Sequence, residues 1–269
     1  GSVFGNYKQG SEFPKYSFGT SHFFKAKKLN TYVNYSINPR KDFRHNDESI
    51  NFTDNTSWET GFKRSRKSKN QNLNTNIDYV FNKKNSLSFS ANILIAPRDG
   101  TKTKVNSLTE VYNINKVLDF TFNTTNNKVN EMFNLAFTLD YIYKFKKVGE
   151  QLSASLHHTN YDSSGFQDVN TGYFLPDNSV AFKNNQFHTF SNHTIKLFTG
   201  HIDYDLPINN SVQFETGIKI SNINSKSILN QFIFINNQKT EDLQNSDTFL
   251  YDETNYAGYA SYSKDWDAW

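Results

Sequence analysis

The residues with chemical reach are few and scattered. Five of the seven histidines fall in the second half of the chain, at His157, His158, His188, His193 and His201. His157 and His158 are neighbours, so on a strand they point to opposite faces and do not share one metal ion. There is no cysteine, which excludes disulfides and thiolate metal sites. Ser163-Ser164-Gly165 and Glu215 lack a histidine or carboxylate partner at a spacing that makes a nucleophile. Glu241-Asp242 lies in a polar stretch and reads as solvated surface. No glycine-rich phosphate loop and no G-x-S-x-G elbow occur. We expect neither an enzyme nor a metal or cofactor site. A formal net charge of +3 gives no electrostatic footprint for nucleic acid.

One spacing does repeat. Asp78, Asp140 and Asp203 recur at intervals of 62 and 63 residues, each inside an I/L-D-Y motif. Each motif leads through a tight polar connection into a second alternating run: "IDYVF" into "SLSFSANI", "LDYIYKF" into "QLSASLHH", "IDYDLP" into "SVQFETGIKI". This is an internal repeat of one long hairpin plus one long connection. Two partial copies occupy 22–38 and 255–266.

The elements that carry these residues read as strands. Leu87, Phe89, Ala91, Ile93 and Ile95 alternate with Ser86, Ser88, Ser90 and Asn92. Phe133 to Phe145 are apolar or aromatic at every second position, with Asn134, Thr138, Asp140 and Lys144 between them. Period two places one face in an apolar medium and the other in a polar one. On that alternation Asp78, Asp140, Asp203, Glu215 and Lys219 fall on the polar face and are expected to line a hydrated lumen. Their plainest role there is solvation, with pairing to lysines such as Lys144.

About ten strands are expected, near 3–8, 15–26, 29–38, 70–81, 86–96, 131–145, 151–160, 190–206, 211–222 and 255–264. Connections at 27–28, 82–85, 146–150 and 207–210 are tight, with lysine pairs at Lys27-Lys28, Lys83-Lys84 and Lys146-Lys147. Those near 38–60, 97–130, 161–190 and 222–253 read as long loops, with His188 and His193 near a loop-to-strand junction. Loops are where recognition concentrates. Tyr173, Phe174, Phe232 and Phe234 are therefore the candidate ligand-binding residues, able to stack on a sugar or fill a peptide pocket. Trp58, Trp266 and Trp269 read as interface anchors.

Composition bears on the apolar medium. Only 36% of the chain is hydrophobic, yet 16% is aromatic, with 25 Phe and 15 Tyr; mean hydropathy is -0.72. A globular domain normally holds more apolar residues than this, and a disordered chain fewer aromatics. A transmembrane β-barrel shows lipid only alternate residues and rings both interfaces with aromatics. Strand length agrees: 133–145 reaches about 43 Å, where an ordinary strand has about 5–6 residues. Lipid is preferred over a long-stranded soluble sheet with a covered face. The expected fold is all-β: an antiparallel up-and-down transmembrane β-barrel, a partial wall of about ten strands with short turns on one side and long loops on the other, forming a single segment over 1–269.

The runs at 14–47, 76–97, 133–162, 167–178, 202–232 and 249–266 carry a further signal, among them "NIDYVFNKKNSLSFSANILIAP" and "FNLAFTLDYIYKFKKVGEQLSASLHHTNYD". In order and over nearly the whole chain they resemble the TonB-dependent-receptor-like outer-membrane β-barrel family, in its N-terminal barrel half. The resemblance implies a barrel of about 22 strands in a Gram-negative outer membrane, importing a bulky nutrient past a plug. It also implies outer-membrane lipid, an energy-coupling inner-membrane protein and a surface lipoprotein as partners. Departing from that plan, the sequence shows no plug and too few strands for a full wall. The alternatives are a structural or interaction subunit of a larger outer-membrane or secretion assembly, and a soluble all-β binding module.

Overall fold

The structure is a computed structural model that describes residues 1–10, 12–209, 211–235 and 238–266. The described residues form one antiparallel sheet of twelve strands and no α-helix. In chain order these are β1 (Ser2–Gln9), β2 (Pro14–Lys25), β3 (Leu29–Asn51), β4 (Ser57–Val80), β5 (Asn85–Ala96), β6 (Lys102–Tyr112), β7 (Leu118–Lys144), β8 (Gln151–Phe174), β9 (Val180–Asn209), β10 (Val212–Ile235), β11 (Gln238–Glu241) and β12 (Asp247–Lys264).

Twelve strands fill ten positions across the sheet. β5 and β6 both run antiparallel between β4 and β7, one after the other. They are one strand interrupted at Pro97, which has no N–H to give the ladder, and at the short 3₁₀ turn Arg98–Gly100. β11 and β12 likewise share the far side of β10. Counted by position, each strand pairs with the next in sequence, which is an up-and-down meander. Among the described residues β1 pairs only with β2, and β12 only with β10, so both edges are open.

The strands are much longer than the alternation in the sequence suggests. β7 has 27 residues and β9 has 30. At roughly 3.3 Å per residue and a tilt of about 40°, 27 residues rise about 68 Å, against about 40–45 Å for a bilayer with its headgroups. The stretches expected as long loops are mostly strand: β3 and β4 run through 38–60, β6 and β7 through 97–130, β8 and β9 through 161–190, and β10 and β12 through much of 222–253. His188 and His193 accordingly lie inside β9 rather than at its start.

Tight turns close that far end. Residues 52–56, 113–117 and 175–179 make the same five-residue turn. Phe52, Asn113 and Leu175 donate their N–H to the carbonyls of Thr56, Val117 and Ser179 at 2.9–3.0 Å. The fourth residue is left-handed in each: Asn55 (φ 67), Lys116 (φ 60) and Asn178 (φ 66). Asparagine is among the few side chains that accept this backbone readily. The Asp54 carboxylate accepts from the Thr56 N–H and hydroxyl (3.0 and 2.7 Å), and Asp177 accepts from Ser179 in the same way (2.9 and 2.6 Å). At the near end, Lys28 and Lys147 donate from Nζ to the carbonyls of Phe81 (2.8 Å) and Ile208 (3.1 Å), tying neighbouring turns together. Of the near turn expected at 207–210, residue 210 lies outside the described residues, as does Trp269.

The sheet is a single layer without a core. The only buried hydrophobic side chains among the described residues are Ala96, Val111, Val169 and Val212. The accessible surface is 17768 Å², where a compact monomer of 31.2 kDa shows about 12,000 Å². Ile218 is 64% exposed, Phe24 59% and Tyr256 78%. A soluble sheet whose apolar face lies under a second layer of this chain is therefore not what these residues form.

Candidate functional site

Register fixes which side chains share a face. Leu29, Tyr79 and Leu87 are cross-strand neighbours and open one continuous apolar face, traced strand by strand through such partners. Ile37, Gln71, Ile95 and Phe133 form one row of it. Leu139, Leu156, Gly200, Ile220 and Tyr256 form another. On β5 the apolar run Leu87 to Ile95 is about 26 Å along the strand and rises about 20 Å at a tilt of about 40°, most of the height of a lipid-facing band. From β8 onward the same face turns polar at the row of Ile93 and Leu135: Asn160, Lys196, Asn224 and Asp252 stand side by side on β8, β9, β10 and β12.

Tyrosines mark both margins of the band. At the near margin the Tyr204 hydroxyl donates to Glu150 Oε1 (2.6 Å) and Tyr141 donates to Asn85. At the far margin Tyr35 donates to Gln71 Oε1 (2.8 Å). An apolar ring with a hydrogen-bonded tip suits the membrane–water boundary.

The opposite face carries the five polar candidates. Asp78, Ser88, Asp140, Ser155, His201 and Lys219 are successive cross-strand neighbours, with Asp203 and Glu215 on the same face nearer the short turns. The three aspartates are not equivalent. Asp78 accepts from Asn76 Nδ2 at 3.3 Å. Asp203 accepts from the Tyr259 hydroxyl at 2.8 Å and lies 3.5 Å from His201 Nε2. Gly217 makes this possible: a Cβ there would stand 2.5 Å from the Tyr259 ring. Glu215 sits opposite Asp205, and Gln213 and Gln151 donate to the two carboxylates at 2.8 Å each. Lys144 forms no ion pair among the described residues.

The four loop aromatics prove to be strand residues, and they separate onto two faces. Tyr173 lies on the polar face near the far rim. It stacks with Phe122 and Phe182 at 5.8 Å each; Phe182 meets Phe120 at 5.4 Å; and Phe122 meets Trp58, itself against Phe52, at 5.7 Å each. Six rings from four strands and a turn make one platform. Trp58 thus sits in this platform and not at a bilayer margin. Phe174, Phe232 and Phe234 lie on the other face. There Phe232 and Phe234 join Phe166, His188 and Phe190, with ring centroids 4.8–5.7 Å apart. Lys239 covers Phe232 and Phe190 at 4.2 and 4.6 Å, and His188 Nε2 is 3.1 Å from Asp168.

The sequence reading overlooked two things. One is the far-rim turns, signalled by Asp54-Asn55-Thr56 and Asp177-Asn178-Ser179. The other is the run Lys63-Arg64-Ser65-Arg66-Lys67-Ser68-Lys69, whose alternate residues the strand sends to opposite faces. Among the described residues no group of three metal-binding side chains converges. His157 lies between Thr138 (2.9 Å) and Thr159 (3.0 Å), while His158 packs against Phe137 on the other face.

Residues 143–269 match the outer membrane protein beta-barrel family. The matched part begins at the near end of β7 and takes in β8 to β12. With the fold, this match supports an outer-membrane β-barrel protein located in the outer membrane. No curated protein matches the chain.

Proposed function

We propose that this sheet is part of the wall of a wide, TonB-dependent-receptor-like barrel that passes a bulky nutrient across a Gram-negative outer membrane. The observation that carries the reading is the contrast between two faces of one layer. One face is an uncovered apolar band with tyrosine margins; the other is polar and bears the six-ring platform at its far rim. In hydrocarbon the free edges of β1 and β12 require partners, which the further strands of a wider wall would supply. A barrel that wide holds a hydrated passage, not a packed interior. Aromatic rings at the mouth offer flat apolar contact to a sugar ring or a peptide side chain. An energy-coupling inner-membrane protein and a surface lipoprotein belong to this reading as partners.

The test is fluorescence titration of the detergent-solubilised protein with panels of oligosaccharides and oligopeptides. One panel is expected to quench tryptophan emission, and Tyr173→Ala to weaken that binding about tenfold or more, the range of a contact residue worth over 1 kcal/mol. Binding unaffected by both Trp58→Ala and Tyr173→Ala, or no binding by either panel, overturns the reading. The open edges also favour a second reading, in which several polypeptides share one wall in a larger assembly. Native mass in detergent separates them: one copy per particle supports the receptor, several copies the shared wall.

A further inference from the structure

Just above the apolar band, the outward face of β3, β4 and β6 carries six lysines. Lys41, Lys67 and Lys102 are direct cross-strand neighbours. Lys69 stands one row nearer the band, while Lys104 and Lys63 stand one and two rows beyond, all on the same face. Adjacent strands lie about 4.8 Å apart, and like charges directly opposite one another destabilise a sheet. Among the described residues no acid on the same face of β3, β4 or β6 stands beside these lysines. The ion pairs among the described residues involve none of the six. Lys41 has only the Phe13 ring, 3.8 Å from its ammonium. On β3, β4 and β6 the acids of this face, Asp47, Glu59 and Glu110, begin further out than Lys63; on the next strand, β7, Glu131 stands one row nearer the band than Val129, the partner of Lys102, and accepts from the Ser164 hydroxyl at 2.6 Å. Arg98 and Asp99 in the strand break cancel in sign.

Height decides what would neutralise the cluster. The band ends at the Ile37–Gln71–Ile95 row, where Tyr35 bonds Gln71. Two residues along a strand are roughly 6.6 Å, so Lys69 is about 5 Å above hydrocarbon and the Lys41–Lys67–Lys102 row about 10 Å above it, at a tilt of about 40°. The headgroup layer on each side of a bilayer is about 5–7 Å deep, and a lysine reaches down along its own stem. Along the Lys41–Lys67–Lys102 row, β7 to β10 continue with Val129, Phe166, Phe190 and Asn230, and one row nearer the band they hold Glu131, Ser164, Asn192 and Ile228, with no lysine among them. The basic surface is therefore local to one sector of the wall.

We propose that this lysine sector binds the phosphate groups of anionic lipid headgroups. The inference rests on the apolar face being the lipid-facing one. Each lysine near an anionic surface contributes a factor of about five in affinity, so three together give on the order of a hundredfold. The experiment reconstitutes the full chain in phosphatidylcholine bilayers containing a small fraction of phosphatidylglycerol or lipid A. Retained anionic lipid is then counted by native mass spectrometry, and binding is measured by titration.

The triple change Lys41→Gln, Lys67→Gln, Lys102→Gln is expected to lower affinity on the order of a hundredfold. The corresponding arginine triple is expected to keep it, and Lys196→Gln with Lys226→Gln to leave it unchanged. Raised salt is expected to mimic the glutamine triple. Equal retention by the glutamine triple overturns the proposal. So does competition by inorganic phosphate at the same concentration as the lipid phosphate, because the site would then be a plain anion site. A chain that does not enter bilayers at all defeats the reading of the faces as well; one that enters without selecting anionic lipid defeats only this proposal.

Discussion

The two halves of β8 share a ladder but not an environment. In the near half the band-side residues are Leu152, Ala154, Leu156 and His158, and the opposite side holds Ser153, Ser155, His157 and Thr159. In the far half the same two faces carry Asn160, Asp162, Ser164, Phe166 and Asp168 on one side, and Tyr161, Ser163, Gly165, Gln167, Val169 and Thr171 on the other, so that polar residues predominate on both. Hydrogen bonding to β7 and β9 continues without interruption across the boundary as far as Thr171. A strand is therefore maintained by its neighbours, whereas its alternation is imposed only where one face meets an apolar medium. Above that level water satisfies both faces, and selection on face identity ends.

Charge insertion tests this contrast most strongly. Leu156→Lys places an ammonium near the middle of the band and is expected to cost about 2–4 kcal/mol of barrel stability. Asn170→Lys, on the same face of the same strand but in the far half, is expected to fall within about 0.5 kcal/mol of the parent. Urea unfolding from phosphatidylcholine vesicles, followed by the gel shift of unheated samples, measures both. Equal costs would erase the distinction between the halves.

Legibility followed the same boundary. Every strand nominated from alternation exists. The far halves of β3, β4, β7, β8 and β10 escaped notice because Asn, Ser, Thr and charged residues stand on both of their faces, and such a run looks like a loop. β6 was missed for the same reason. The same holds for the site: Tyr173, Phe174, Phe232 and Phe234 look alike as aromatics in polar stretches, but strand parity puts Tyr173 on one face and the other three on the opposite one. Asn55 and Asn178, each following an aspartate, were the available signal that these polar stretches turn sharply.

Those turns give the intermediate test. Asn178 holds φ 66 between β8 and β9. Asn178→Val forces a β-branched side chain into the left-handed region and is expected to cost about 1–2 kcal/mol, while Asn178→Gly is expected to be near neutral. Unfolding in the same vesicles measures it. If the far half were a loose loop, both changes would be silent. If it is a strand pair set by its turn, valine also opens the upper ladder, seen as faster amide exchange at Thr171 to Phe174 than at Ser153 to Thr159.

The smallest effect comes from acid. The hydroxyl and N–H of Ser179 hold the Asp177 carboxyl below the usual aspartate range, and Thr56 does the same for Asp54. A depressed carboxyl stabilises the folded turn above its unfolded pKa, near 4, and that contribution disappears as pH falls through the folded value. Both groups are fully solvated, so the change is small and confined to the far rim. Amide exchange is expected to quicken around 52–56 and 175–179 below pH 4, while the band rows, which contain no such carboxylate, keep their protection. Asp177→Asn is expected to remove the pH response at its own turn and leave that of Asp54 intact. A uniform loss of protection along β8 on acidification would mean that the two halves unfold together, and the independence of the far rim from the band would fail.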